Sequence, residues 1–455
     1  MPKIPTITVL GTGYVGLTTA ALCAAAGIKT YVVDPNNNRL SSVRQGKSFF
    51  YEAGLDPLIA NAVQNGMLIP TASYVESVPH SDIIFSAVGT PDNPDGSSNL
   101  QFVFAAAAEA AQHMQADAIY VQKSTVPVGT GKKILQAFAA AGIHNAYVSN
   151  PEFLREGTAL LDSLWFDRVV VGGGNPAVLE RVMGIYRTIE QARNDIAKRA
   201  SLTPPSPLPA GTYTTVTLES AEMIKVVSNA FLALKISFSN SVALLADKAG
   251  ADIAEVLVTV GADHRIGTAF LSAGRGYGGG CFPKDVSGLI AAGLEQGVRL
   301  NIMEAAQEVN DAMPGYVVEK LQDALGGALE KQRIAVLGLA FKAGTSDCRR
   351  SGPIAIANML ATRGAHVTAF DPQANEEARP ALQPAITVTR TAAGALRGTD
   401  AVIIATDWPE FLNLPAKAYK DVMNGTIFVD AMNRFSIETI TDAGLHYIGV
   451  GRGKT

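Results

Sequence analysis

Apolar residues fall along this chain in short continuous runs, each closed by a glycine, a small polar residue or an acid. Thr6-Ile7-Thr8-Val9-Leu10 is the first, followed by Gly11-Thr12-Gly13-Tyr14-Val15-Gly16-Leu17 and an Ala-rich helical stretch, Thr18 to Ala26. Thr30-Tyr31-Val32-Val33 comes next and ends in Asp34. Further runs are Asp82 to Val88, Ala118 to Gln122 and Ala146 to Ser149, with helical patterns between them. Such alternation predicts a parallel sheet covered by helices on both faces. Reactive residues then belong at the carboxyl ends of the strands. Polar motifs stand at those ends: Gly89-Thr90-Pro91, Lys123-Ser124-Thr125-Val126-Pro127, and Asn150-Pro151-Glu152-Phe153-Leu154-Arg155-Glu156.

The pattern breaks between Gln191 and Gly211, where Thr203-Pro204-Pro205-Ser206-Pro207-Leu208-Pro209 cannot continue a helix or a central strand. This stretch reads as an exposed connector. A long helical tract follows, Leu218 to Ala249, with apolar residues at mixed three and four spacing. From near Met313 the strand pattern returns. Arg333 to Leu339 repeats the first strand and its glycine turn, and His366-Val367-Thr368-Ala369-Phe370-Asp371-Pro372 repeats the second, terminal Asp-Pro included. Ala401 to Ala405 and Ile427 to Asp430 complete the set. The expected fold is α/β, with two doubly wound Rossmann-like domains joined by a long central helix. The boundaries fall at 1–212, 213–312 and 313–455.

Composition narrows the class. The 455 residues allow two or three domains with sizeable cores, and 47% hydrophobic with 17% charged residues describes a globular enzyme. A net charge of −4 provides no basic field for nucleic acid and no polybasic membrane anchor. No apolar run reaches the length of a membrane span, and Met1-Pro2-Lys3 leads into the first strand with no room for a signal peptide. Three widely spaced cysteines, Cys23, Cys281 and Cys348, argue for a reducing cytoplasm and against a disulfide framework. Cys23, among alanines, reads as core. The six histidines are scattered and show no zinc-site spacing, so no metal is expected and acid–base work falls to carboxylates, lysine, threonine and water.

The glycine turn carries the first chemistry. Gly11 permits the tight turn, Gly13 lets backbone approach a pyrophosphate, and Gly16 allows helix to pack on strand. Tyr14 and Val15 open a helix whose N-terminus favours phosphate. Asp34 stands where an acid bonds the ribose hydroxyls of an adenosine and repels a 2′-phosphate, so the expected cofactor is NAD; Arg39 is the one nearby cation. The second turn, Gly338-Leu339-Ala340-Phe341-Lys342, lacks the full fingerprint and points to a different phosphate ligand held by Lys342.

Cys281 carries the second, in Gly278-Gly279-Gly280-Cys281-Phe282-Pro283-Lys284-Asp285. Three glycines leave the approach to the sulfur without side chains, and the ammonium of Lys284 favours thiolate. Alone, the cysteine could equally be a small apolar residue in a tight turn.

These motifs, with Ser220-Ala221-Glu222-Met223-Ile224-Lys225 through Asn229-Ala230-Phe231 and the stretch Gly338 to Arg349, occur in an order that resembles the UDP-glucose/GDP-mannose dehydrogenase family, over nearly the whole chain. Phe282 and the Lys284-Asp285 pair resemble its UDP-glucose branch; GDP-mannose and UDP-N-acetylhexosamine remain alternatives, and a non-catalytic NAD-binding protein of the same fold is an alternative of another class. The resemblance implies an NAD-dependent, four-electron oxidation of a sugar C6 alcohol to a carboxylate, through a cysteine thiohemiacetal and thioester. It makes Cys281 the nucleophile, Lys225 and Asn229 the oxyanion partners, Asp285 and Thr125 the holders of a water network, and Glu152 the general base. It places Thr90, Thr125, Glu156, Lys284 and Arg349 beside the cofactor. It places Phe153, Leu154, Arg155, Arg265, Phe270, Leu271, Tyr277, Gly278, Phe282 and Lys342 around the nucleotide sugar, with Arg265 reaching into a partner's site in a homodimer. Simpler readings stay open: Lys225 as a solvated helix residue, Glu152 as a turn or cap, Thr125 as the cap of a helix beginning near Pro127, Arg265 and Arg349 as surface ion pairs. Gly280 departs from the family pattern, where serine often precedes the cysteine.

Overall fold

The computed structural model describes residues 4–453; Met1 to Lys3, read above as leading into the first strand, lie outside the described residues. The chain forms two compact units, Met1–Ser228 and Asn229–Thr455.

In the first unit the strands are β1 (Ile7–Leu10), β2 (Thr30–Val33), β3 (Leu68–Thr71), β4 (Ile83–Ser86), β5 (Ile119–Gln122), β6 (Ala146–Ser149), β7 (Arg168–Gly172) and β8 (Thr212–Val216). They form one sheet in the order β3-β2-β1-β4-β5-β6-β7-β8. Strands β1 to β6 are parallel, as the alternation predicts. The sheet then departs from that expectation: β7 pairs antiparallel with β6 through Ser149 and Gly172, and β8 runs parallel to β7. Every residue of β1, β4 and β5 is buried. A sheet covered on both faces needs apolar side chains on both, so these strands read as continuous runs. One face packs Ile7, Val9, Phe85 and Val121 against Leu17, Leu58 and Leu160. The other packs Leu10, Ile84 and Tyr120 against Val103, Ile134 and Phe138. The chain order reverses between β1 and β4, so the crevice at their carboxyl ends is where a ligand binds in this architecture.

The helix Pro176–Arg199, capped by Asn175, runs through the point where the sequence changes character at Gln191. The Pro-rich stretch that follows leads into β8, a mostly exposed edge strand absent from the sequence reading.

In the second unit β9 (Arg333–Leu337), β10 (His366–Phe370), β11 (Thr387–Val388), β12 (Ala401–Ile404), β13 (Ile427–Asp430) and β14 (His446–Gly449) form a parallel sheet in the order β11-β10-β9-β12-β13-β14. This repeats the order of β3 to β6 in the first sheet, so the fold is doubly wound twice. The longest helix, Leu218–Ala249, spans 32 residues and contributes its start to the first unit and its remainder to the second.

Candidate active site

The turn after β1 is built by its glycines. Gly11 has φ +94°, and a Cβ there would lie 2.7 Å from the Ala87 carbonyl oxygen. A Cβ at Gly16 would lie 2.0 Å from the Gly11 oxygen, so the helix Tyr14–Ala25 can close on the strand only without a side chain there. At Gly13 nothing lies within 4 Å of the added position, and Gly13 caps the helix with no side-chain hydrogen bond. Open space over uncapped helix amides is a cradle for a pyrophosphate. At the end of β2 the buried Asp34 accepts from the Thr12 amide (2.8 Å) and hydroxyl (2.6 Å) on Oδ2, and from the Asn36 amide (2.8 Å) on Oδ1. A carboxylate accepts about four hydrogen bonds, so capacity remains for a ribose hydroxyl. Arg39 approaches Asp34 at 3.8 Å while stacking on Phe49 at 4.6 Å. Val15 stands in the first helical turn, and Thr90 is half-buried beyond β4. These residues fit NAD.

Tyr14 does more than open a helix. Its one hydroxyl hydrogen is shared between Glu52 and the Arg155 carbonyl, and the Gly157 amide hydrogen between the Tyr14 oxygen and Glu52. The Leu160 amide reaches the other Glu52 oxygen at 3.2 Å. Glu52 is buried, and that burial, against the donors, holds its pKa above the ordinary value. It ties the glycine turn to the loop after β6. The sequence reading gave Glu52 no role, because its partners are mostly backbone groups that no residue spacing marks.

The loop after β6 holds Glu152, buried, with Oε1 2.9 Å from the ammonium of the equally buried Lys225. Its Oε2 accepts from the Leu154 amide at 2.5 Å. Burial pushes the Glu152 pKa up, but Lys225, the Leu154 amide and Lys123 outweigh it, and the carboxyl ends below its ordinary value. Lys225 is thus no solvated helix residue. Phe153 lies under two cations, Arg168 at 3.9 Å and Lys225 at 5.5 Å. Lys123, also buried, donates to the Tyr186 hydroxyl (2.9 Å), which donates to Asn150, two residues before Glu152. Arg168, Lys123 and Tyr186 had no assigned role. Arg155 turns its guanidinium to Asp162 (2.6 Å), and Leu154 and Glu156 are half-buried. Thr125 is half-buried and caps nothing: the next helix begins at Thr130 with Gly129 as its cap.

In the second unit Cys281 is the residue from which the helix Phe282–Glu295 starts. Asp285, buried one turn on, accepts from Lys284 (2.7 Å) and from the Asn229 side chain (2.5 Å). The ammonium expected to favour a thiolate is therefore paired with Asp285. The glycines before Cys281 also admit neighbouring chain. A Cβ at Gly278 would lie 2.4 Å from the Arg350 oxygen, one at Gly279 (φ +84°) 2.7 Å from the Phe341 ring, and one at Gly280 2.3 Å from the Arg349 guanidinium carbon. The freed space is filled by the chain's own Phe341 to Arg350 segment. Phe282 meets Phe270 at 5.9 Å and Tyr277 at 6.0 Å, and Leu271 is half-buried beside them in sequence. Arg265 is exposed and chelates Asp263 (2.5 Å); Arg349 is exposed and chelates Asp347 (2.6 Å). Lys342 lies 5.7 Å from the Phe341 ring. At the end of β10, Asp371 accepts from the Leu339 and Ala340 amides and from the Trp408 indole (3.0 Å). The acid that could bind a second adenosine ribose is occupied by the protein. Among the described residues no group of three or more His, Cys, Asp or Glu could hold a metal ion.

A coenzyme turn at the switch point of a doubly wound sheet, with a buried lysine–glutamate pair at the carboxyl ends of its strands, defines an NAD-dependent oxidoreductase of the α/β class. The family follows from comparison with known proteins. The NAD binding domain of the UDP-glucose/GDP-mannose dehydrogenase family matches residues 5–190, its central domain residues 219–312 and its UDP binding domain residues 335–436. The chain is 38% identical to the UDP-glucose 6-dehydrogenase YwqF of Bacillus subtilis, covering 98% of this chain and 97% of that protein. It is 37% identical to the UDP-glucose 6-dehydrogenase of Rhizobium meliloti, covering 98% and 99%. The solved UDP-glucose dehydrogenase of the archaeon Pyrobaculum islandicum matches with a TM-score of 0.86 at 36% identity, covering 99% of this chain and 98% of that one. The chain belongs to the UDP-glucose/GDP-mannose dehydrogenase family.

Proposed function

We propose that this chain oxidises the C6 alcohol of UDP-glucose twice, to UDP-glucuronate, with Cys281 as the covalent nucleophile. The observation that carries the substrate is the full-length similarity to proteins named UDP-glucose 6-dehydrogenase, at 37–38% identity, and to a solved UDP-glucose dehydrogenase at 36%. NAD, when bound, takes one hydride from C6 in each oxidation. The first oxidation also releases the hydroxyl proton and leaves an aldehyde. The Cys281 sulfur adds to that carbon, and the second hydride loss converts the thiohemiacetal to a thioester. Water then adds, Glu152 takes its proton, and the thiolate leaves to give the carboxylate. Cys281 stands at the start of a 14-residue helix, and the positive end of a helix dipole favours a thiolate. The buried ammonium of Lys225 suits the oxyanion that each step places on the C6 oxygen, with Asn229 as second donor. The lowered pKa of Glu152 keeps it ionised, the form a general base needs, while making it the weaker base. Asp285 and Thr125 hold the water. Lys342 and Arg265 serve the nucleotide sugar, Arg265 from a partner subunit, and Arg349 the cofactor side.

The test is NADH stoichiometry with a panel of nucleotide sugars. Two NADH per UDP-glucose are expected, and Cys281→Ser should fail to complete the second oxidation. Preferential turnover of GDP-mannose or a UDP-N-acetylhexosamine would reassign the substrate. No NADH with any sugar would leave a cofactor-binding protein without this activity.

A further inference from the structure

Glu222 is a buried carboxylate that the chemistry above leaves unused. It stands three residues before Lys225 on the helix Leu218–Ala249. Its Oε2 accepts from the Gly129 amide at 2.6 Å and its Oε1 from the Gly131 amide at 2.7 Å. Those amides open the helix Thr130–Ala140, which has no side-chain cap of its own. Glu222 therefore caps that helix from another element. The loop that ends at Gly129 begins at Lys123 and contains Thr125. A Cβ at Gly131 would lie 2.5 Å from the Tyr147 ring, 2.8 Å from the Leu218 side chain and 3.1 Å from Glu222, so a side chain there would crowd the cap. No salt bridge reaches Glu222 among the described residues. The titratable groups that face it are Glu219 from its own helix and Tyr147 from β6.

We propose that Glu222 is a positioning residue for the oxidation: its carboxylate fastens the Lys123 to Gly129 loop, and with it Thr125, to the helix that carries Lys225, and protonation releases the loop. This rests on the dehydrogenase reading above. The chemistry follows from the acceptor count. An ionised carboxylate serves both amides with charge-assisted bonds; a protonated one turns one oxygen into a hydroxyl, a poorer acceptor, and both amides lose the charge that strengthened their bonds. Burial is the main cause, with the Gly131 and Gly129 amides opposing it and Glu219 adding to it, of a Glu222 pKa raised to about 7. The switch therefore lies close to neutral pH.

The sign for stability is opposite to that for rate. With the folded pKa above the unfolded one, the folded state binds more protons between the ordinary carboxylate value and about 7. Lowering pH through that window thus adds stability from this group while it loosens the loop. A purely structural carboxylate would move rate and stability together.

The experiment measures kcat and melting temperature from about pH 5.5 to 9 for the wild type, Glu222→Gln and Glu222→Asp, with saturating NAD and UDP-glucose. The wild type should lose kcat several-fold on the acid side of pH 7. Glu222→Gln should lose that limb, run roughly tenfold slower throughout and keep its KM, because one misplaced group costs turnover rather than ground-state binding. Its melting temperature should gain on the wild type as pH rises through the same window. Should Gln fail to fold, Asp keeps the charge but not the reach, and should retain the limb at reduced rate. A wild-type kcat flat from about pH 6 to 8, a Gln variant that keeps the limb, or an Asp variant at full rate overturns the proposal. A wild type inactive on every sugar overturns the parent reading instead.

Discussion

Among single residues, the Glu152–Lys225 pair concentrates the electrostatics of the first unit. Both groups are buried and 2.9 Å apart. Glu152 has its pKa depressed despite its burial, so the pair contributes stability above the unfolded carboxylate value and loses it only as pH falls through the folded one. Lys225→Ala leaves a buried carboxylate without its cation. We expect that to cost about 3–5 kcal/mol in urea unfolding at neutral pH. The loss should shrink toward acid, where burial now favours a protonated Glu152. Turnover should fall by at least two powers of ten, about 3–4 kcal/mol, with substrate affinity changed much less. Normal turnover with weak binding would make the lysine only an anchor. Both residues were legible in the sequence as motif members, but their pairing was not, since it depends on where β6 delivers its loop. Glu52 and Glu222 escaped for a related reason. Their partners are chiefly backbone amides, and the fold alone decides which amides arrive.

At the scale of elements, the alternating runs were enough to name most strands, because a doubly covered sheet imposes continuous apolar segments. The edge strand β8 was hidden: it is Thr-rich, mostly exposed and preceded by prolines. The glycines split the same way. In the first turn Gly11 and Gly16 allow the close approaches their spacing predicts, and the turn offers a way to separate binding from stability. Gly16→Ala puts a Cβ 2.0 Å from the Gly11 oxygen and should cost about 1–3 kcal/mol of stability. Gly13→Ala meets open space at φ −56°, which alanine adopts freely. It should melt like the wild type yet bind NAD more weakly, because its methyl occupies the pyrophosphate's approach. Melting curves and NAD titration of the two variants test this, and unchanged NAD affinity in Gly13→Ala would mean that this turn is not the cradle. For the glycines before Cys281, sequence shows where side chains are missing but not which part of the chain packs into the gap. A serine at 280 would have to displace the Arg349 guanidinium.

For the whole molecule, the open question is what covers the long helix. Met223, Val227, Phe231, Phe238 and Leu245 are all exposed on Leu218–Ala249, spaced by fours and sevens, which places them along one stripe. Single exposed apolar residues are ordinary, but a continuous stripe marks a contact surface. Although no unbroken apolar run in the sequence is that long, this helix is by length and mean hydropathy long and apolar enough to cross a membrane. Its buried Glu222 and Lys225 already have partners inside the protein, which favours a helix of a folded core over one in lipid. A second copy of the same stripe about a two-fold axis is the simplest cover, since an isologous interface needs only one surface. We expect a homodimer in detergent-free buffer, and expect Phe238→Asp with Leu245→Asp to give a monomer by analytical ultracentrifugation, because each charge must be desolvated at the seam. Arg265 sharpens the test. It is exposed and pairs with Asp263 among the described residues, so if it completes a partner's site the monomer should lose turnover although neither substituted residue belongs to the chemistry. A fully active monomer would remove Arg265 from the site, and a dimer that survives both charges would place the interface elsewhere.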